Sequence, residues 1–184
     1  LYLSTDVNAP DGETGVDWQP NSETSSSSPT LTANGDVEFS SDQVNGNPAF
    51  VYNDGGTTDY HIGQFASAVS RPDDMFIVAK IRSISAESTE YLASGFSNNS
   101  HAVYEDTNGD WKIYGGSTVG GGGSDDAVDT SWHLITVRWG DDNNSEIRID
   151  QTPIATGDSG DNLLDGFSLA IDGGQSGSTA PVNI

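Results

Sequence analysis

Short blocks rich in β-branched and aromatic residues alternate along this chain with clusters of glycine, asparagine, aspartate and serine. Such alternation is typical of many short strands joined by tight turns. The candidate strands are residues 36–40, 49–53, 74–82, 90–96, 101–106, 110–115, 132–139, 146–150 and 166–171. No segment carries a sustained helical period. The pattern predicts an all-β protein folded as an antiparallel β-sandwich of the jelly-roll kind.

Two of these blocks indicate how their strands are placed. In residues 146–150 the charged side chains of Glu146, Arg148 and Asp150 alternate with two isoleucines, which is typical of a strand with one wet face and one buried face. Residues 132–139 carry apolar groups on both faces. We therefore predict that this second strand is central and largely covered.

Acidic residues dominate the charged positions. The chain has 28 Asp and Glu against 6 Lys and Arg, a formal net charge of −22, and Asp outnumbers Glu by 21 to 7. Nucleic acids and anionic membranes require cationic surface, so both are poor partners. Crowded carboxylates repel one another in dilute buffer, whereas the Debye length in molar salt is only about 3 Å. We expect a halophilic protein, adapted to a high-salt environment.

Length and composition bound the remaining possibilities. The absence of cysteine excludes disulfides and a cysteine nucleophile. The longest unbroken apolar run, residues 75–79, is far shorter than the roughly 20 residues of a membrane-spanning helix, and we expect no membrane insertion. A chain of 184 residues suits one sizeable sandwich better than two domains with separate cores. We predict one domain over residues 1–184.

Several stretches, in order along the chain, resemble the laminin-G-like branch of the concanavalin A-like lectin/glucanase superfamily. They are Leu1-Tyr2-Leu3 with Asp17-Trp18, VNGNPAFVYNDG at 44–55, DYHI at 59–62, SWHLITV at 131–137, IRIDQ at 147–151 and GFSLAIDGG at 166–174. The resemblance implies a laminin-G-like sandwich. Such domains close with a further strand, which would begin within residues 180–184. We therefore expect the chain to be part of a longer protein, with that strand truncated after Ile184.

The same resemblance implies a class of function. We expect a non-catalytic extracellular module that binds a glycan or a surface protein in adhesion, or assembles with other copies or subunits on a cell or virion surface. The superfamily also includes retaining β-glucanases, whose catalytic strand carries two outer carboxylates around a middle acid. Glu146 and Asp150 match the outer positions, but Arg148 replaces the middle acid. Arg148 would keep both carboxylates ionised, whereas a proton donor needs a raised pKa. A glucanase-like glycoside hydrolase using Glu146 and Asp150 is the alternative function.

One turn carries candidate metal ligands. Asp106, Asn108 and Asp110 place oxygen atoms at alternate positions, as in the first half of an EF-hand loop, and hard oxygen donors suit Ca²⁺. The second half of that loop pattern is missing. The Asn-Gly pair at 108–109 is equally typical of a plain hairpin turn. A second, weaker candidate comprises Asp141, Asp142 and Asn144.

Aromatic residues flank the same turn. Sugars stack their C–H faces on exposed rings beside hydrogen-bonding side chains. Tyr104, Trp111 and Tyr114 are close enough in sequence to form such a ligand-binding platform on one hairpin. The alternative is that at least two of the three rings pack into the core.

Overall fold

The structure is a computed structural model that describes residues 9–18, 30–52, 59–83, 89–97, 100–122, 128–171, 178–179 and 181–184. The described residues form strands and connections, without a helix, and thus contain no helix able to cross a membrane. The strands are β1 (Glu13–Thr14), β2 (Thr32–Asn34), β3 (Glu38–Val44), β4 (Asn47–Val51), β5 (Tyr60–Val69), β6 (Asp73–Ile81), β7 (Glu90–Ser94), β8 (Ala102–Glu105), β9 (Trp111–Tyr114), β10 (Thr118–Gly120), β11 (His133–Trp139), β12 (Ser145–Ile149), β13 (Thr152–Gly157), β14 (Leu164–Leu169), β15 (Ser178–Thr179) and β16 (Val182–Asn183).

The strands form two sheets. The first has the order β1-β3-β4-β16-β6-β11-β12-β13, and the second β10-β9-β8-β7-β14-β5-β2, with β15 also paired to β7. All these pairings are antiparallel except that of β15 with β7. The prediction of an all-β antiparallel sandwich is confirmed.

The core lies between the facing sides of the two sheets. Ile135, Val137 and Trp139 alternate along β11 and are fully buried, because successive side chains of a strand point to opposite faces. Ile113 and Leu92 contribute from the second sheet. Each such side chain removed from water stabilises the fold by about 1.5–3 kcal/mol. Hydrophobic burial therefore holds the two sheets together.

The position of β11 in its sheet agrees with the sequence prediction, whereas the coverage of its outer face differs from it. The strand is central in its sheet, between β6 and β12, as predicted. Its outer face, however, carries Leu134, Thr136 and Arg138, which are partly or fully exposed. The predicted coverage therefore holds for the inner face, whereas the outer face is only partly covered, because only the inner face meets the second sheet.

The last residues of the chain lie inside the first sheet. Val182 and Asn183 form β16, which pairs with β6 on one side and β4 on the other. That β16 is the start of a laminin-G-like closing strand, and that the chain is part of a longer protein, both stay predictions. Some of the residues that carry the laminin-G resemblance lie outside the described residues. They are residues 1–3, 53–55 and 172–174.

Candidate functional site

The outer side of the first sheet bears an exposed group of aromatic, aliphatic and charged side chains. We call it the Phe76 face, and it comprises Asp74, Phe76 and Val78 of β6, Thr136 and Arg138 of β11, and Glu146 and Arg148 of β12. Strand register places these residues side by side: Phe76 is opposite Thr136, which is opposite Arg148. A second row runs from Asp74 through Arg138 to Glu146. The sheet therefore fixes the spacing of the whole group.

Two apolar side chains on this face are exposed in the middle of a strand. The side chain of Phe76 is 69% exposed and that of Val78 is 47% exposed. They alternate with Ile77 and Ala79, which are buried on the inner side. An exposed ring held on a paired strand loses little conformational freedom when a ligand stacks on it. Phe76 is therefore suited to contact an amphipathic ligand.

Both arginines of the Phe76 face are held by carboxylates. Arg138 Nε donates to Asp74 Oδ1 at 3.1 Å, and Arg148 donates to both carboxylate oxygens of Glu146, at 2.7 and 3.1 Å. Such pairs keep the guanidinium planes in place while leaving polar atoms open to solvent. Two open depressions, of about 270 and 590 Å³, share Arg138 and Glu146 in their walls. The face therefore combines a ring with ordered donors and acceptors beside a shallow groove.

The two carboxylates of the alternative hydrolase are each engaged in a different contact. Glu146 lies in β12 and is bound by Arg148. Asp150 lies beyond that strand, in a turn at φ 49°, where it accepts hydrogen bonds from Leu134 N at 2.9 Å and His133 Nδ1 at 2.7 Å. The hydrogen bond from His133 and that from the Leu134 amide lower the pKa of Asp150. Neither residue is placed as the proton donor that a glucanase requires.

The candidate calcium turn is held together by its own hydrogen bonds. Asp106 Oδ1 accepts from the backbone N–H groups of Asn108 and Asp110, and Oδ2 from Asn108 Nδ2, while Lys112 Nζ lies 2.5 Å from Oδ2. Partial burial opposes ionisation of Asp106, but Lys112 and the turn amides outweigh it and lower its pKa to about 2. The ammonium of Lys112 already serves as the cation here.

No group of three or more acidic or histidine side chains that could hold a metal is present in the described part of the chain. The geometry of residues 106–110 therefore matches the alternative, a hairpin turn between β8 and β9 with Gly109 at φ 79°. Calcium binding at Asp106, Asn108 and Asp110, or at Asp141, Asp142 and Asn144, stays a prediction.

The aromatic platform is corrected by the structure. Trp111 is 2% exposed and belongs to the core, so its ring cannot form an exposed platform with the two tyrosines. Tyr104 and Tyr114 are half-buried on the opposite, outer side of the second sheet. Tyr104 contacts the ring of Tyr91, with centroids 5.4 Å apart. We call Tyr91, Tyr104, Lys112 and Tyr114 the tyrosine face, and ligand binding there stays a prediction.

Sequence reasoning missed the Phe76 face, although a signal was present. Residues 75–79 form an unbroken apolar run, so both sides of that strand are apolar. A sandwich with nothing outside its sheets must then expose one of those sides. The exposed side is the one that carries Phe76 and Val78.

No protein-family model matches this chain, and no curated protein matches it. Solved structures do match. One of them is the carbohydrate binding module CBM66 from Bacillus subtilis, at 11% sequence identity and a TM-score of 0.49, over 86% of this chain and 93% of that chain. Such a similarity is too low to indicate a shared ligand. Membership of the laminin-G-like branch stays a prediction, whereas the β-sandwich rests on the two sheets described above.

Proposed function

We propose that this protein is a non-catalytic glycan-binding module of an extracellular surface, and that it binds its ligand on the Phe76 face. The observation that carries the proposal is the 69% exposed ring of Phe76 on a strand that is hydrogen-bonded to β11. A pyranose ring has an apolar C–H face that stacks on such a ring, and hydroxyl groups that exchange hydrogen bonds with neighbouring polar side chains. Thr136 lies beside Phe76 in the adjoining strand β11, and Arg148 lies beside Thr136 in β12.

The charges of the face favour a neutral glycan. Arg138 and Arg148 are each matched by a carboxylate, Asp74 and Glu146, so this region offers both donors and acceptors without excess positive charge. The net charge of −22 also opposes the approach of polyanions. Hydroxyl groups, which donate and accept, suit paired guanidinium and carboxylate groups better than a charged ligand does.

The experiment that tests this proposal is a glycan array probed in molar KCl, followed by titration of the sugars that bind. We expect Phe76→Ala to weaken binding at least about tenfold, a loss of about 1.4 kcal/mol, because the main stacking surface is removed. Since Phe76 is mostly exposed, the variant should keep the melting temperature of the parent protein. Tyr104→Ala, on the tyrosine face, is the matched control and should bind normally.

Each outcome bears on a specific alternative. Loss of binding in Tyr104→Ala but not in Phe76→Ala would move the ligand to the tyrosine face. A blank array together with ordered self-assembly or capture of a surface protein would reject glycan binding in favour of a building or protein-adhesion role. Hydrolysis of a β-glucan that disappears in Glu146→Gln would instead support the glucanase alternative.

The setting that we propose is a cell or virion surface in a high-salt environment. The physical support is the charge of −22 over 184 residues, because repulsion among so many carboxylates is screened only at high ionic strength. We expect a cooperative thermal melt at molar KCl and a much lower melting temperature in dilute buffer, measured by circular dichroism. Equal melting temperatures in the two buffers would contradict halophilic adaptation.

A further inference from the structure

Two glutamates face each other inside the second sheet. Glu90 of β7 and Glu105 of β8 are directly opposed in strand register, which places their Cβ atoms about 4.5–5.5 Å apart. Their side chains are 6% and 0% exposed. Glu105 lies on the same side of β8 as the core residue Val103, so the pair points toward the interior of the sandwich.

The carboxylate of Glu105 has no hydrogen-bond partner among the described residues, at either oxygen. Lys112, in the neighbouring strand β9, is opposite Tyr104 in register and binds Asp106. Burial raises the pKa of Glu105 to about 7, with further contributions from Glu90 and Asp106. A buried carboxylate is normally paired with a donor or bound to a metal, since burying an isolated charge is costly. The described part of the chain therefore supplies no group that compensates the buried carboxylate of Glu105.

We propose that Glu90 and Glu105 bind one divalent cation, Ca²⁺, between the two strands. The pair carries two negative charges, which match one divalent ion. Ca²⁺ takes 6–8 oxygen ligands in flexible geometry, and two carboxylates supply up to four of them, with backbone carbonyls or water completing the shell. This site is separate from the turn of residues 106–110.

Calcium here would support the fold at the end of the sandwich. The ion would join β7 and β8 at their ends, where Glu105 is also opposite Trp111 of β9. A ligand that binds only the folded state stabilises it in proportion to RT ln(1 + [L]/Kd). The competing arrangement is a proton shared by the two carboxyl groups, which would stabilise the fold at low pH and be indifferent to calcium.

The test is calcium binding and thermal stability at molar KCl and slightly alkaline pH. We expect isothermal titration of the metal-free protein with CaCl₂ to give one site, and calcium to raise the melting temperature over EDTA by at least about 5 °C. Glu105→Gln should abolish both effects. Asp110→Asn, in the adjacent turn, is the matched control and should keep both.

A second measurement protects the test against a variant that folds poorly. Tb³⁺ bound to the parent protein should emit when tryptophan is excited, because Trp111 is the residue opposite Glu105, and added Ca²⁺ should quench that emission by competition. The proposal is overturned if the parent protein neither binds Ca²⁺ nor responds to it in melting. It is also overturned if binding survives in Glu105→Gln and is lost in Asp110→Asn.

Discussion

Replacement of Arg71 should be among the most damaging single changes in this protein. Arg71 lies between β5 and β6, and its guanidinium donates to five acceptors from three different connections. They are Asn162 O at 2.9 Å, Gly140 O at 3.2 Å, Ser159 Oγ at 3.3 Å, Gly115 O at 2.9 Å, and Gly160 O. Gly115 follows β9 of the second sheet, whereas Gly140 follows β11 of the first. One side chain therefore links both sheets at one end of the sandwich.

The magnitude follows from these contacts. A hydrogen bond from a charged donor contributes about 1.5–3 kcal/mol, and a buried acceptor left without a donor costs about 1–3 kcal/mol. The five bonds share one side chain, and water would reach some of the carbonyls after its removal, so the values do not add. We expect Arg71→Ala to lower the free energy of unfolding by about 3–5 kcal/mol, a large fraction of the 5–15 kcal/mol typical of a domain.

Urea unfolding in molar KCl, followed by tryptophan fluorescence, measures this loss. The matched control is Arg138→Ala. Arg138 is exposed and holds only Asp74 in the described structure, so its removal should cost about 0.2–1 kcal/mol. The dependence of the unfolding free energy on urea should stay unchanged in both variants. If Arg71→Ala were no more destabilising than Arg138→Ala, the structural role assigned to the five contacts would be wrong.

Two further predictions concern backbone and pH. Gly160→Ala should lower the free energy of unfolding by at least about 3 kcal/mol, because a Cβ on this residue, whose φ is 88°, would lie 2.7 Å from the backbone of Gly116 and Ser117. The control is Gly122→Ala. Gly122 has a φ of 96° and open space around it, so the loss in the same urea assay should be about 1–2 kcal/mol. Burial, followed by the charge of Arg71, lowers the pKa of His101 to about 3, so stability that is present above the ordinary pKa of 6.5 is lost as pH falls toward 3. Between pH 6.5 and 3, the free energy of unfolding should fall less steeply with decreasing pH in His101→Gln, by about 1.4 kcal/mol per pH unit. Equal pH dependence of the unfolding free energy in the two proteins would contradict a neutral, buried His101.

The strands with a plain period could be predicted from sequence. All nine candidate blocks overlap a strand, with ends shifted by a few residues. No candidate block covers the longest described strand, β5, because Gly63, Ala66 and Ser67 interrupt its apolar alternation. The strand β13 contains Pro153 and lies at the edge of its sheet, where proline is tolerated. The order of strands depends on distant pairings, which local periodicity does not encode.

The site was harder to predict, for two reasons. Trp111 and Tyr114 are three residues apart in one strand, so the two-residue period of a strand already places them on opposite faces. The prediction of a shared aromatic platform did not take this period into account. The opposed glutamates, by contrast, depend on hairpin register. Glu90 meets Glu105 only because β7 and β8 pair with a bulge between Tyr91 and Ala93, and no local pattern reveals such a shift.

The placement of the few cations connects the fold with the proposed high-salt setting. Arg71 donates to backbone carbonyls on three connections, and Arg82 donates to the carbonyl of Tyr52. Lys112, Arg138 and Arg148 each pair with one carboxylate, but the chain has only 6 Lys and Arg against 28 acidic residues. Internal ion pairs therefore leave most of the negative charge unmatched. We propose that dissolved cations screen this charge, and we therefore expect dilute buffer to destabilise the fold even though the core remains the same.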